Sequence, residues 1–133
     1  MLDDRTGTSR KVPAHVGAIG WTAAQNRFGW ESFLGMKPGG LKAPKGAVPA
    51  RVANLSGLPP AFIGVGTIDL FVDEDVDYAQ RLNAAGVPVE LIVVQGGPHG
   101  FDMIAKLIKA PLGEWFETAK LNALRRGWGM PAV

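Results

Sequence analysis

The rhythm of hydrophobic and polar positions changes at Leu58. From there "LPPAFIGVG" is a short apolar run bounded by prolines and a glycine, which predicts a buried strand over about Ala61 to Gly66. In "FVDEDVDYAQRLNAAG", Val72, Val76, Ala79 and Leu82 recur at spacings of four, three and three, the single apolar face of a helix. The acidic first turn suits the positive end of the helix dipole, and Gly86 stands where a left-handed C-terminal residue belongs. "VPVELIVVQ" is a second, almost wholly apolar strand. Strand, helix and strand in close succession predict a βαβ unit with parallel strands and a right-handed crossover. Continuous apolar runs, without alternation, predict that both sheet faces are covered. A last helix is predicted from about Pro111 to Arg126, with Leu112, Trp115, Phe116, Ala119 and Ala123 on one face. Gly127, Gly129 and Pro131 end it.

Ahead of Leu58 the pattern is weaker. Residues 1–20 show no period and read as irregular. Residues 21–35 predict a short helix, with Thr22 as cap, Gln25 three residues on and Gly35 as the stop; Gly29 counts against it. Residues 36–60 read as loop, with at most a turn of helix near Ala50 to Leu55. A loop of that length in a compact domain is usually functional or lies over something. The chain thus divides into an irregular and helical lead-in, 1–57, and a βαβα unit, 58–133, within one domain.

Composition narrows the class. With 133 residues, 47% hydrophobic and 20% charged, the chain reads as globular. It has no cysteine, which excludes disulfides and thiolate metal sites and suits a reducing, cytoplasmic setting. The net charge of +2 is too small to argue for nucleic acid. No apolar run approaches a membrane span, and "MLDDRTGTSRK" lacks the form of a secretory signal. Asp73, Glu74, Asp75 and Asp77 are spread around a helix and read as a solvated face and helix-start charge. His15, Tyr78 and the tryptophans carry no assigned role, and no metal or cofactor is expected.

Chemistry points to the carboxyl ends of the two strands, where open α/β sheets collect ligands. Asp69 follows the first strand and His99 the second. Parallel, adjacent strands would bring both loops to one edge, where the carboxylate could hold the imidazole's tautomer and leave its other nitrogen free for proton transfer. Each residue also has a plainer reading. His99 alone would be a turn histidine, and Asp69 alone a helix cap. Asp73 is an equally good cap, which leaves Asp69 available for the imidazole.

The block "LSGLPPAFIGVGTIDLFVDEDVDYAQRLNAAGVPVELIVVQGGPHGF" resembles the C-terminal segment of α/β-hydrolases of the hormone-sensitive-lipase-like esterase group. "LPPAFIGVGTIDLF" is similar to the stretch carrying the triad acid, which implies Asp69, and "GGPHGF" to the stretch carrying the triad histidine, which implies His99. "MLDDRTGT" and "WTAAQNRFGWESFLG" resemble the segment after the family's sixth strand. The resemblance implies a partial α/β-hydrolase fold and carboxylic-ester hydrolysis through an acyl-serine.

One departure bears directly on activity. The family's nucleophile lies in G-x-S-x-G and its oxyanion hole upstream in a glycine-rich stretch. Neither motif is present, and Ser9, Ser32 and Ser56 stand on no glycine elbow. The expectation is therefore a chain that supplies acid and base and is inactive alone. A small ester would be its substrate if a missing N-terminal half complemented it. The alternatives are a non-catalytic module or truncated relic that pairs through its open sheet edge, and a small-ligand binder using the former acyl pocket, lined by the 36–60 loop and Phe101. A homodimer would form through the last strand and the C-terminal helix.

Overall fold

The computed structural model describes the chain from Met1 to Val133. Helix α1 (Ala23–Leu34) leads through a 3-10 turn (Pro49–Arg51) to strand β1 (Ala61–Gly66), helix α2 (Val72–Ala84), strand β2 (Val89–Val94), a short helix α3 (Phe101–Leu107) and helix α4 (Pro111–Gly127). The two strands form a parallel two-stranded sheet in which Ala61 pairs with Val89 and Gly66 with Val94. No helix is long and apolar enough to cross a membrane.

Local signals fix most boundaries. The Thr22 hydroxyl accepts from the Gln25 amide at 3.3 Å and the Gln25 side chain accepts from the Thr22 amide at 2.8 Å, a reciprocal cap at the start of α1. Gly35 ends α1 at φ +65°. At the end of α2, Val87 donates to the Leu82 carbonyl and Gly86 to that of Asn83, both at 3.0 Å, with Gly86 at φ +76°. That Schellman closure also brings Leu82 and Val87 together. They form a buried cluster with Leu55, against which Ile63, Tyr78 and Val89 pack.

The start of α2 departs from expectation. Asp73 lies exposed in the first turn and Phe71 is the cap residue, with no side-chain cap bond. The chain leaves β1 through a tight turn, in which the Asp69 amide donates to the Gly66 carbonyl and the Val72 amide to the Asp69 carbonyl. The helix therefore begins before Asp73 is reached.

Sheet coverage is also less than the apolar runs predict. Ile63 of β1 and Tyr78 of α2 both pack against the cluster that holds Leu82 of α2, so one face is covered there. On the other face Phe62 and Gly64 meet Phe116 of α4. Most strand residues stay only partly buried, and Val93 is 43% exposed. Continuous hydrophobicity here marks surface that this chain does not itself cover. Trp115, predicted on the inner face of α4, is 53% exposed. The rest of the predicted stripe, Leu112, Phe116, Ala119 and Ala123, is buried or half-buried, and Gly113 joins it. A Cβ on Gly113 would lie 2.8 Å from the Lys106 backbone nitrogen, so the two helices touch there and Trp115 is turned away. Helix α3 itself has no counterpart in the sequence reading, since seven residues are too few to display a period.

The N-terminal segment is irregular, with one isolated bridge between Thr6 and Arg10, yet it buries Asp3, Asp4 and Thr6. It folds over the start of α2, so Glu74 is 2% exposed and not part of a solvated face. The Leu2 amide donates to Glu74 Oε1 at 2.6 Å. Burial pushes the Glu74 carboxyl above its ordinary range. Asp75 is pushed up to about 7, first by burial and then by the like charges of Glu74 and Asp69, against the pull of the N-terminal ammonium.

Two outcomes follow for stability. A Cβ on Gly64 would lie 2.3 Å from Phe116 Cζ. Gly64→Ala is expected to destabilise the chain by about 1–3 kcal/mol through overpacking, read by urea denaturation. Asp75 takes up its proton in the folded state at a higher pH than in the unfolded chain. Stability therefore falls as pH rises from about 4 through about 7. Asp75→Asn should raise the thermal midpoint at pH 8, with the gain fading as pH approaches 4.

Candidate active site

Asp69 and His99 stand in the loops that follow β1 and β2, on the same edge of the sheet. Parallel pairing in register makes this unavoidable. Three contacts hold the loops together. The Ile68 amide donates to the Gly97 carbonyl at 3.3 Å, and the Gly96 amide donates to Thr67 Oγ1 at 2.8 Å. Gly66 meets Gly97 so closely that a Cβ on Gly66 would lie 1.8 Å from the Gly97 carbonyl oxygen. Only glycine allows that approach.

The carboxylate is divided between two duties. Asp69 Oδ1 accepts from the Phe71 amide at 3.0 Å, a local turn closure. Asp69 Oδ2 lies 3.1 Å from His99 Nδ1. Asp69 is thus not the cap of α2, a place that Phe71 takes; one carboxylate oxygen closes the turn ahead of the helix and the other faces the imidazole. An ionised carboxylate only accepts, so Nδ1 carries the proton and donates. That leaves the Nε2 lone pair unprotonated in the neutral ring, the form a general base requires. Asp69 is buried, while the His99 side chain is 41% exposed and so reachable from outside.

Aromatic packing limits how the imidazole turns. The Phe71 ring meets it edge-on at 5.3 Å between centroids, and the Trp21 ring lies tilted at 5.9 Å. The backbone at Gly20 presses against the His99 carbonyl, where a Cβ would come within 2.6 Å. Trp21 and Gly20 were invisible as site residues in the sequence. Their only mark is a Gly-Trp step ahead of a helix cap, far from the histidine in the chain.

An open cavity of about 420 Å³ lies against the pair, lined by Phe62, Phe101, Met103, Phe116, Asp75, Asp102 and Lys120 among others. No serine and no residue of the 36–60 loop borders it, so that loop does not wall this cavity. Lys120 donates to Asp102 Oδ2 at 3.0 Å and lies 5.4 Å above the Phe116 ring. Burial pulls the Asp102 carboxyl upward, but the Lys120 ammonium outweighs it and holds the group below its usual range. Asp102 and Lys120 therefore stay ionised beside the imidazole. Nowhere do three or more His, Asp or Glu side chains converge as metal ligands.

A family model described as alpha/beta hydrolase fold matches residues 1–103. Esterase LipI of Mycobacterium tuberculosis is 40% identical over 67 residues, which are 50% of this chain and 21% of that protein. Hormone-sensitive lipase of Ictidomys tridecemlineatus is 42% identical over 55 residues, 41% of this chain and 7% of the relative. Among solved structures, a bacterial heroin esterase superposes with a TM-score of 0.75 at 30% identity, over 96% of this chain and 40% of its own. Esterase LipW of Mycobacterium marinum gives 0.61 at 34% identity, over 86% and 36%. The chain thus spans well under half the length of each of these proteins. With more than three quarters of its length inside the family match, the chain belongs to the α/β-hydrolase fold family and carries part of that fold in its hormone-sensitive-lipase-like form.

Proposed function

We propose that this chain is the acid-and-base part of a serine carboxylesterase acting on a small ester. The single observation that supports the reading is the 3.1 Å contact between Asp69 Oδ2 and His99 Nδ1 beside an open cavity. In this reading His99 Nε2 takes the proton of a serine hydroxyl as that oxygen attacks the ester carbonyl. Asp69 stabilises the imidazolium that results. The imidazolium then hands its proton to the departing alcohol, and water removes the acyl group by the same route. The serine and the oxyanion donors come from a second polypeptide or a preceding segment. One oxyanion donor alone contributes about 3 kcal/mol of transition-state stabilisation. The pair without its nucleophile is therefore inert. The setting is cytoplasmic, consistent with the absence of cysteine. Neither nucleic acid nor a cofactor enters the reaction.

The test is complementation. The pure chain should neither hydrolyse p-nitrophenyl acetate nor accept a fluorophosphonate probe. Mixing it with a G-x-S-x-G-bearing N-terminal polypeptide of a similar esterase should restore turnover. Asp69→Asn should then lower kcat by roughly 10⁴-fold and His99→Ala by roughly 10⁶-fold. Robust turnover by the chain alone, abolished by His99→Ala, would overturn the reading.

A second reading, a non-catalytic module that pairs with a second copy, rests on the open outer edge of β2. Val93 is exposed on the α2 side of that strand, and elsewhere on the chain Leu121, Leu124 and Trp128, of α4 and its end, are exposed too. An apolar edge of this kind is a template for strand pairing. Sedimentation should give a dimer that Val93→Lys converts to monomer. A compact wild-type monomer with sharp thermal unfolding would dismiss it.

A further inference from the structure

Charge is distributed unevenly along the chain. Between Glu31 and Asp69 there is no acidic residue, but Lys37, Lys42, Lys45 and Arg51 all lie there. Only Arg51 is in an ion pair, with Asp4. The three lysines are exposed and take part in none of the structure's salt bridges.

Leu41 stands in the middle of this stretch and is 101% exposed, as open as in an extended chain. Phe33 at 67% and Met36 at 41% precede it. A single exposed leucine on a surface needs no explanation. This one differs because the backbone beneath it is clamped. Asp4, 1% exposed, accepts from Arg51 Nε at 2.7 Å and from Arg51 Nη2 at 2.9 Å. Its Oδ2 also accepts from the Gly39 amide at 2.8 Å. Arg51 in turn donates to the carbonyls of Gly40 at 2.7 Å and Leu41 at 3.3 Å. Gly39, at φ +79°, lies so close to Thr8 that a Cβ would be 2.4 Å from the hydroxyl oxygen. A half-buried ion pair thus grips three successive residues, Gly39 to Leu41, and the leucine side chain is presented outward instead of folding back.

We propose that residues 33–45 form a docking surface for an anionic lipid bilayer, with Leu41 entering the acyl boundary and Lys37, Lys42 and Lys45 resting among the headgroups. Exposed basic residues within four positions of an exposed apolar tip match the two layers such a surface offers, negative charge outside and hydrocarbon just beneath. Lysine suits the position because its stem is apolar and its ammonium reaches back to water. A nucleic acid would use the cations but gain nothing from the leucine, since its recognition of single strands rests on aromatic stacking. The proposal is independent of the chemistry at Asp69 and His99.

Vesicle flotation of the pure protein tests it. Binding is expected to phosphatidylcholine vesicles containing phosphatidylglycerol or phosphatidylserine and to be absent with phosphatidylcholine alone. Raising salt toward 1 M, where the Debye length is about 3 Å, should release it. Each lysine near the surface is worth about fivefold in affinity, so Lys37→Gln, Lys42→Gln and Lys45→Gln together should lose roughly a hundredfold. Leu41→Ser, which removes no charge, should also release the protein, while circular dichroism stays unchanged. Equal binding to neutral vesicles, or no binding at all, would overturn the proposal. Retention on heparin or an oligonucleotide together with vesicle binding indifferent to Leu41→Ser would also overturn it, in favour of a general anion surface. Binding that survives the lysine variant would assign the contact to the exposed α4 face and reject this one.

Discussion

The contact between Gly66 and Gly97 sets the distance between the two strand-end loops, and the carboxylate and the imidazole can meet only because of it. A side chain at Gly66 would collide with the Gly97 carbonyl, and the loop after β2 would have to swing away. His99 is two residues beyond that crossing and Asp69 three beyond Gly66, so a small displacement there moves both groups. The hydrogen bonds donated by the Ile68 and Gly96 amides maintain the crossing from either side. The site is thus carried by backbone geometry at one sheet edge, with side chains added to it.

Around that point the chain is thinly built. Two small clusters of buried apolar residues stand out, one where Leu82 and Val87 close α2 on Leu55, the other where Val65, Leu70 and Phe71 gather under the N-terminal segment. The second cluster supports the site directly, since Phe71 also touches the imidazole and Asp69 holds the Phe71 amide. Segments far apart in sequence converge on it: Val12, Trp21 and Ala23 all pack there. The lead-in is therefore part of the support for His99, which its irregular sequence gave no reason to expect.

What was legible in the sequence was local or periodic. The strand limits at Ala61 and Gly66, the apolar stripe of α2, the Gly86 stop and the Thr22–Gln25 cap all have short-range causes, and the structure has each of them. Asp69 and His99 could be aligned because parallel pairing sends both strands toward the same edge. What escaped were contacts between distant segments. Glu74 looked like one more solvated carboxylate, and only the fold of residues 1–6 over α2 buries it. Trp115 sat within the apolar pattern of α4, but the closeness of α3 at Gly113 leaves it outside the buried stripe that Leu112, Phe116, Ala119 and Ala123 follow. The Asp4–Arg51 grip joins residues 47 positions apart, and neither neighbour sequence carries a sign of it.

The meeting of α3 and α4 at Gly113 has a mechanical consequence. Helix α3 begins two residues after His99, and its backbone bears against α4 with no side chain between them to absorb movement. A rigid lever of this kind passes displacement along its length. A shift of α4 would therefore press directly on the backbone of α3, whose first residue stands two positions from the imidazole.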